Sequence, residues 1–264
     1  MEVAITFDVE PDLHSGNFKS IIEGIPKIMG ILEKYNVKGT FFTTSDCIEK
    51  NPEVFRELIR RGHEIASHGH RHARFDELTF EETELSLINS KKTFKKYLNQ
   101  QPKGFRAPQL SIDKKTLYLL KKHKFTYDSS FAPLDLMLLF FLPSKFKQWL
   151  WHFFSNKKVY EIKKDLYEIP TSAIIIPFVS LVFRVLNPQM IKTYSELVKI
   201  FNKQLVIYFH SWDFIDVPES KIDRLWSKEK LIYNLDKFLE YSTKKYEFKK
   251  LYEMVKKDGT KKYA

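Results

Sequence analysis

Residues 1–12 read MEVAITFDVEPD. An apolar run at residues 3–7 ends on Asp8, and Glu10 and Asp12 follow at alternate positions. Such a run predicts a short buried strand. A carboxylate at its end is costly to bury unless it is paired or bound to a cation, although a solvated loop or a helix cap would also satisfy these three acids. The same pattern, an apolar strand ending in a polar residue, returns along the chain. It is seen at residues 38–44 (KGTFFTT), 63–69 (HEIASHG), 104–108 (GFRAP), 125–130 (FTYDSS), 167–170 (YEIP) and 205–210 (LVIYFH).

Helical segments fall between these strands. Residues 21–35 carry apolar side chains at helical spacing, and 51–62 open with Pro52 and close with Gly62. Residues 78–98 begin with Thr79 and Glu82 in capping-box spacing, and Asp113 caps a helix that runs to about residue 122. Residues 194–201 and 230–241 complete the set. Alternating strands and helices imply a parallel sheet, and seven or so such units favour a barrel over an open sheet. The expected fold is therefore α/β, a distorted (β/α)7-type barrel forming a single domain over residues 1–264. In barrels, polar residues at strand C-termini gather on one face and form the site. Asp8, His68, Arg106, Asp128 and His210 all fall at such ends.

Composition narrows the chemistry. The one cysteine, Cys47, excludes a disulfide framework and a cysteine-rich zinc knuckle, so any metal must rest on histidine and carboxylate. The net charge of +11 comes from dispersed lysine pairs such as Lys91-Lys92, Lys121-Lys122 and Lys256-Lys257. That dispersion argues against a nucleic-acid partner and favours an anionic substrate or lipid surface. Residues 1–12 lack a signal-peptide pattern, and no apolar run reaches the roughly 18 residues of a membrane span. The expectation is a cytoplasmic protein, with peripheral membrane contact open. Residues 134–164 break the rhythm and read as an apolar, aromatic insertion, with Trp149, Trp151, Phe153 and Phe154 set among lysines. This insertion and the apolar residues 174–186 fit either core covering one end of the barrel or an interfacial surface.

Residues 63–72, HEIASHGHRH, hold four of the chain's eight histidines. His68 and His72 are four apart, which on a helical turn sets both rings on one face, close enough to share an ion. His70 then points elsewhere, and His63 reads as structural. The spacing alone is a weak signal. Two histidines with a carboxylate, however, are a common hydrolytic metal set that leaves positions open for water and substrate.

In order, TFDVE (6–10), GHEIASHGHRH (62–72), FRAPQLSI (105–112), YDSS (127–130) and YFHSWD (208–213) resemble the polysaccharide deacetylase family, the NodB-homology carbohydrate esterases. The likeness is greatest to its branch with a Phe-Asp-x-Glu first motif and a His-Pro-Trp-Glu ending. The resemblance implies a metal-dependent hydrolase that removes the N-acetyl group of an N-acetylated sugar or glycan, including one carried on a lipid. It implies Asp8 as general base and His68 and His72 as ligands of a divalent ion, zinc by expectation. Arg106 would pair with the base, His210 would be the general acid, and Asp128 would orient it. Val9 follows Asp8 where a second aspartate is commoner, which shifts the metal carboxylate to Glu10, with Asp12 as the fallback. Gln109 and Ser211 depart from the usual tyrosine and proline at groove positions, which bears on substrate rather than reaction. Two other readings stay open: an allantoinase-like ring-opening amidohydrolase, and a non-catalytic carbohydrate-binding barrel.

Overall fold

The computed structural model describes residues 1–12, 15–137, 146–217 and 227–258. The strands are β1 (Glu2–Val9), β2 (Thr40–Thr43), β3 (Glu64–Ser67), β4 (Gly104–Phe105), β5 (Tyr127–Asp128), β6 (Tyr160–Lys163), β7 (Leu166–Glu168), a small β8–β9 hairpin (Ala173–Ile174, Ile176–Pro177), β10 (Gln204–His210) and β11 (Glu247–Phe248). The helices are α1 (Ile25–Lys34), α2 (Ser45–Lys50), α3 (Pro52–Arg60), α4 (Phe80–Leu98), α5 (Lys114–Lys122), α6 (Phe146–Phe153), α7 (Ser180–Val185), α8 (Pro188–Asn202), α9 (Lys228–Ser242) and α10 (Leu251–Asp258).

The main sheet runs β10-β1-β2-β3-β4-β5-β7-β6, with β11 also on β1. Its pairs are parallel except β6–β7. The seam between β7 and β10 is bridged by the segment that follows β7. Ser172 N–H donates to Val206 O at 3.1 Å, and Val206 N–H returns to Ser172 Oγ at 3.0 Å. The result is the distorted half-barrel that the alternating pattern predicts.

Period-two alternation sorts each strand into two faces. On β1, Val3, Ile5, Phe7 and Val9 join the large cluster under the helices, together with Leu205, Ile207 and Phe209 of β10. The other face carries Ala4 and Val206, which pack with Phe42, Ala66 and Tyr127 inside the barrel. Thr6, Asp8, Tyr208 and His210 share the parity of that inner face. Asp8 and His210 therefore point inward because their neighbours along the strands are apolar and face the helices.

The expected caps are present. Thr79 Oγ1 accepts Glu82 N–H while Glu82 accepts Thr79 N–H, and Asp113 accepts Thr116 N–H at 2.7 Å. One helix begins earlier than expected. Asn187 caps α8 and Pro188 opens it, so the helix covers residues 188–202 rather than 194–201. Of residues 174–186, Phe178, Val182 and Phe183 are buried in the main core, the last two on α7. In the segment read as an insertion, residues 138–145 lie outside the described residues. Trp149 is buried and donates its indole N–H to Asp135 O at 3.0 Å, and Trp151 packs edge-on against Phe131. Phe146 and Phe154 are exposed.

Gly24 ends a π-helical turn (Ser20–Gly24) packed against the loop that follows β10. A Cβ on it would lie 2.6 Å from Ser211 O, a backbone atom next to His210. Gly24→Ala should therefore cost roughly 1–3 kcal/mol through overpacking. Gly30→Ala, in open space within α1, should gain roughly 0.5–1 kcal/mol. Thermal melts of the two variants should move in opposite directions.

Candidate metal centre and acid–base site

The C-terminal ends of β1, β3 and β10 converge. The register sets Asp8 directly beside His210. Beyond the end of β1, Glu10 is buried, and its Oε2 faces both imidazoles of the histidine motif. It lies 3.4 Å from His68 Nε2 and in direct contact with His72 Nε2. One ligand atom from each of Glu10, His68 and His72 falls within 4.8 Å of the others.

The helical turn expected between the two histidines is absent. Residues 69–74 form an irregular loop, and Gly69 starts it at φ +86°, where its missing Cβ would meet the Phe75 ring at 2.9 Å. A left-handed glycine thus does what the i,i+4 spacing suggested, bringing the two ring centroids to 5.6 Å. Asp12, the fallback carboxylate, is used elsewhere, accepting Ser20 N–H at 3.0 and 3.2 Å. His63 is buried and its Nδ1 accepts Gly39 N–H at 3.0 Å, with burial pushing its pKa down to about 4. His70 lies outside the cluster, its backbone N–H bound to Ser86 Oγ.

The donor set fits a divalent cation. His68 Nδ1 lies 2.7 Å from Arg106 O, so it carries the proton given to that carbonyl and leaves the Nε2 lone pair turned toward Glu10. Burial opposes the charge on Glu10, yet the two imidazoles outweigh it and hold the carboxyl down to about 2. Glu10 Oε2 is nonetheless buried without a well-formed hydrogen bond. An anion and two nitrogen lone pairs converging on one point call for a positive partner, which a cation supplies.

Arg106 lies inside the barrel with no exposed surface. Its Nη1 donates to Asp8 Oδ1 at 2.8 Å and to Thr6 Oγ1 at 3.0 Å, and its Nε donates to Ser129 O at 3.0 Å. Phe42 and Tyr208 rings flank the guanidinium. Asp8 Oδ2 faces the metal side, 4.0 Å from His68 Nε2.

His210 is oriented by a residue that sequence reasoning did not select. Asp213 Oδ2 lies 3.8 Å from His210 Nδ1 and accepts the His210 backbone N–H at 2.8 Å. Buried Arg184 sits 3.3 Å behind Asp213. The Trp212 ring stacks on the imidazole at 4.4 Å, nearly parallel. Burial alone would lower the His210 pKa, but Asp213, then Glu10 and Asp8, raise it to about 9. Asp128, expected in Asp213's place, is bound instead to Ser130 Oγ at 2.6 Å and to Glu168. Burial pushes both acids upward, Asp128 to about 6 and Glu168 well above its ordinary value, with the charge of Asp128 adding to the rise at Glu168. The signal for Asp213 was in YFHSWD itself, an acid three residues after the histidine at a helical turn.

Asp8, Glu10 and His68 are nearly inaccessible, whereas the side chains of His72 and His210 are 28% and 30% exposed. Solvent therefore reaches the cluster from the side those two rings define.

A mixed α/β half-barrel with these residues at its strand ends is the NodB-type (β/α)7 fold. Residues 1–127 match the polysaccharide deacetylase family. The peptidoglycan deacetylase of Helicobacter pylori is 31% identical over 123 residues, which is 47% of this chain and 42% of that protein. The match thus spans less than half the length of this curated relative. Over the whole fold, a protein from Mycobacterium smegmatis assigned to the polysaccharide deacetylases superposes with a TM-score of 0.71 at 18% identity, covering 97% of this chain and 89% of that one. PuuE allantoinase superposes with a TM-score of 0.72 at 14% identity, covering 100% and 92%. Residues 1–127 are thus similar to the polysaccharide deacetylase family, and the remainder of the chain completes the same fold.

The His210–Asp213 pair gives a direct test by NMR titration of the metal-free protein. The His210 ring should titrate near pH 9 in the wild type. In Asp213→Asn its midpoint should fall toward the ordinary histidine value of about 6.5. An unchanged midpoint would remove Asp213 from its assigned position.

Proposed function

We propose that the protein is a metal-dependent hydrolase that removes the acetyl group from an N-acetylated sugar unit of a glycan. The observation that carries this reading is the pairing of Asp8 with His210 across adjacent strands, beside the convergent Glu10, His68 and His72. The family match and the peptidoglycan deacetylase relative support the substrate class.

Glu10, His68 and His72 would hold a divalent ion, and two imidazoles with one carboxylate suit zinc while leaving positions open. When bound there, the ion would polarise the acyl oxygen and lower the pKa of water. Asp8, held through Oδ1 by Arg106, has Oδ2 free to take the proton from the attacking water. His210 would then give its proton to the departing amine, which an imidazolium stabilised by Asp213 is suited to do. Trp212, stacked on that ring, would fix its plane and form a wall of the groove.

Acetate release from a panel of N-acetylated glycans tests the reading. Asp8→Asn should lower turnover by roughly 10²–10⁴-fold while zinc content stays near that of the wild type. His70→Ala should also retain the metal, because that ring lies outside the ligand set. His68→Ala should lose zinc and activity together. Ring opening of a small cyclic amide without acetate release would favour the amidohydrolase reading instead. Turnover surviving in Asp8→Asn would show that the base is a different group.

A further inference from the structure

The outer face of α8 carries an apolar stripe that the fold leaves uncovered. Met190, Leu197, Ile200 and Phe201 are 49%, 47%, 73% and 47% exposed. Their spacing of i, i+7, i+10 and i+11 keeps them on one side of the helix. Ile191, Ser195, Val198 and Asn202 form the buried side. The stripe widens at its edges. The β8–β9 hairpin is tied to α8 by a hydrogen bond from Ile174 N–H to Tyr194 Oη at 3.1 Å, and it exposes Ile175 and Ile176. Soluble chains seldom leave contiguous apolar surface of this kind without a use for it.

Lysines flank the stripe. On one edge the Lys157 ammonium lies 5.7 Å over the Phe201 ring. On the other, a groove between α8 and α9 is lined by Lys192, Lys237, Lys244 and Lys245 with Tyr233 and Tyr241. Glu240 and Glu196 pair with two of these lysines, so the groove keeps a net positive charge. An apolar band bordered by lysine and tyrosine is the pattern of a helix lying in the plane of a bilayer interface.

We propose that this face of α8, with the neighbouring lysine groove, is a docking surface for an anionic lipid bilayer. The net charge of +11 acts in the same direction, drawing the chain toward an acidic surface. A second copy of the chain is a poorer occupant, because a two-fold contact through the stripe would bring like-charged lysine borders together. Among the described residues no helix is long and apolar enough to cross a membrane, so the contact is along the surface. α8 leads through the single residue Lys203 into the start of β10 and runs antiparallel to it. It therefore lies on the barrel's flank and leaves the strand ends that hold His210 clear. The proposal does not depend on the reaction assigned above.

Co-sedimentation with phosphatidylcholine vesicles, with and without phosphatidylglycerol, tests it. The wild-type protein should bind the anionic vesicles and be released progressively by salt. The double variant Ile200→Glu/Phe201→Glu should bind roughly tenfold or more weakly. Lys192→Glu/Lys244→Glu should show a loss of the same order that is confined to anionic vesicles. Melting curves near the wild-type value would establish that both variants are folded, since all four positions lie at the surface. The proposal is overturned if the wild type ignores anionic vesicles, or if both variants bind as it does. It is also overturned if the wild type is a dimer that Ile200→Glu/Phe201→Glu splits while vesicle binding is absent, which would make the stripe a self-association face.

Discussion

A guanidinium with no exposed surface occupies the middle of the barrel, and the site is arranged around it. Arg106 holds Asp8, the proposed base, with its side chain and His68, a proposed ligand, with its backbone carbonyl. Two groups a few ångströms apart are thereby set by one residue that directly follows a two-residue strand. Burying a lone guanidinium would be prohibitive, and the cost is met by Asp8, Thr6, Ser129 and two aromatic faces. Removing one partner from such a buried pair typically costs about 3–5 kcal/mol. Lysine, with its compact charge and no fork, could not serve Ser129, Thr6 and Asp8 at once.

Much of this was legible in the sequence because strand parity is rigid. Once residues 3–9 are a strand with Val3, Ile5, Phe7 and Val9 against the helices, Thr6 and Asp8 have no choice but the interior. The same holds for Tyr208 and His210 on β10. The motif residues therefore gather at one set of strand ends. The start of α8 was also written plainly, in Asn187-Pro188, where an N-cap precedes a first-turn proline. It was obscured by the apolar residues just before it, which belong to the core helix α7.

What was not legible depends on chain reversals, where spacing carries no fixed geometry. Asp128 and Asp213 both sit near strand ends, and only the structure tells which meets His210. The short helical turn after β10 folds Asp213 back onto the histidine, while β5 lies on the far side of β1, β2, β3 and β4 and delivers Asp128 to Glu168. The histidine pair is a similar case. Its four-residue spacing suggested a helix, but a left-handed glycine and an irregular loop produce the same convergence. The tryptophans of residues 146–153 show the limit of composition. Lysines beside aromatics left both core and interface open; Trp149 is buried, Phe146 and Phe154 are exposed, and a further exposed apolar stripe is on α8.

The two ends of the reaction centre share a construction. Asp8 is backed by Arg106, and His210 is backed by Asp213, itself backed by Arg184. Both arginines are buried, so solvent screens neither pair as it would at the surface. The difference is one of order. Arg106 pairs directly with the Asp8 carboxylate. Arg184 stands behind Asp213, whose carboxyl His210 first and then Arg184 hold below its ordinary range against burial, so that its charge favours a cation at His210. One more link in the chain reverses the sign at its end. Adjacent strands thus carry an arginine-backed carboxylate and a carboxylate-backed imidazole at the same level of the barrel, the arrangement on which the proposed acid–base roles rest.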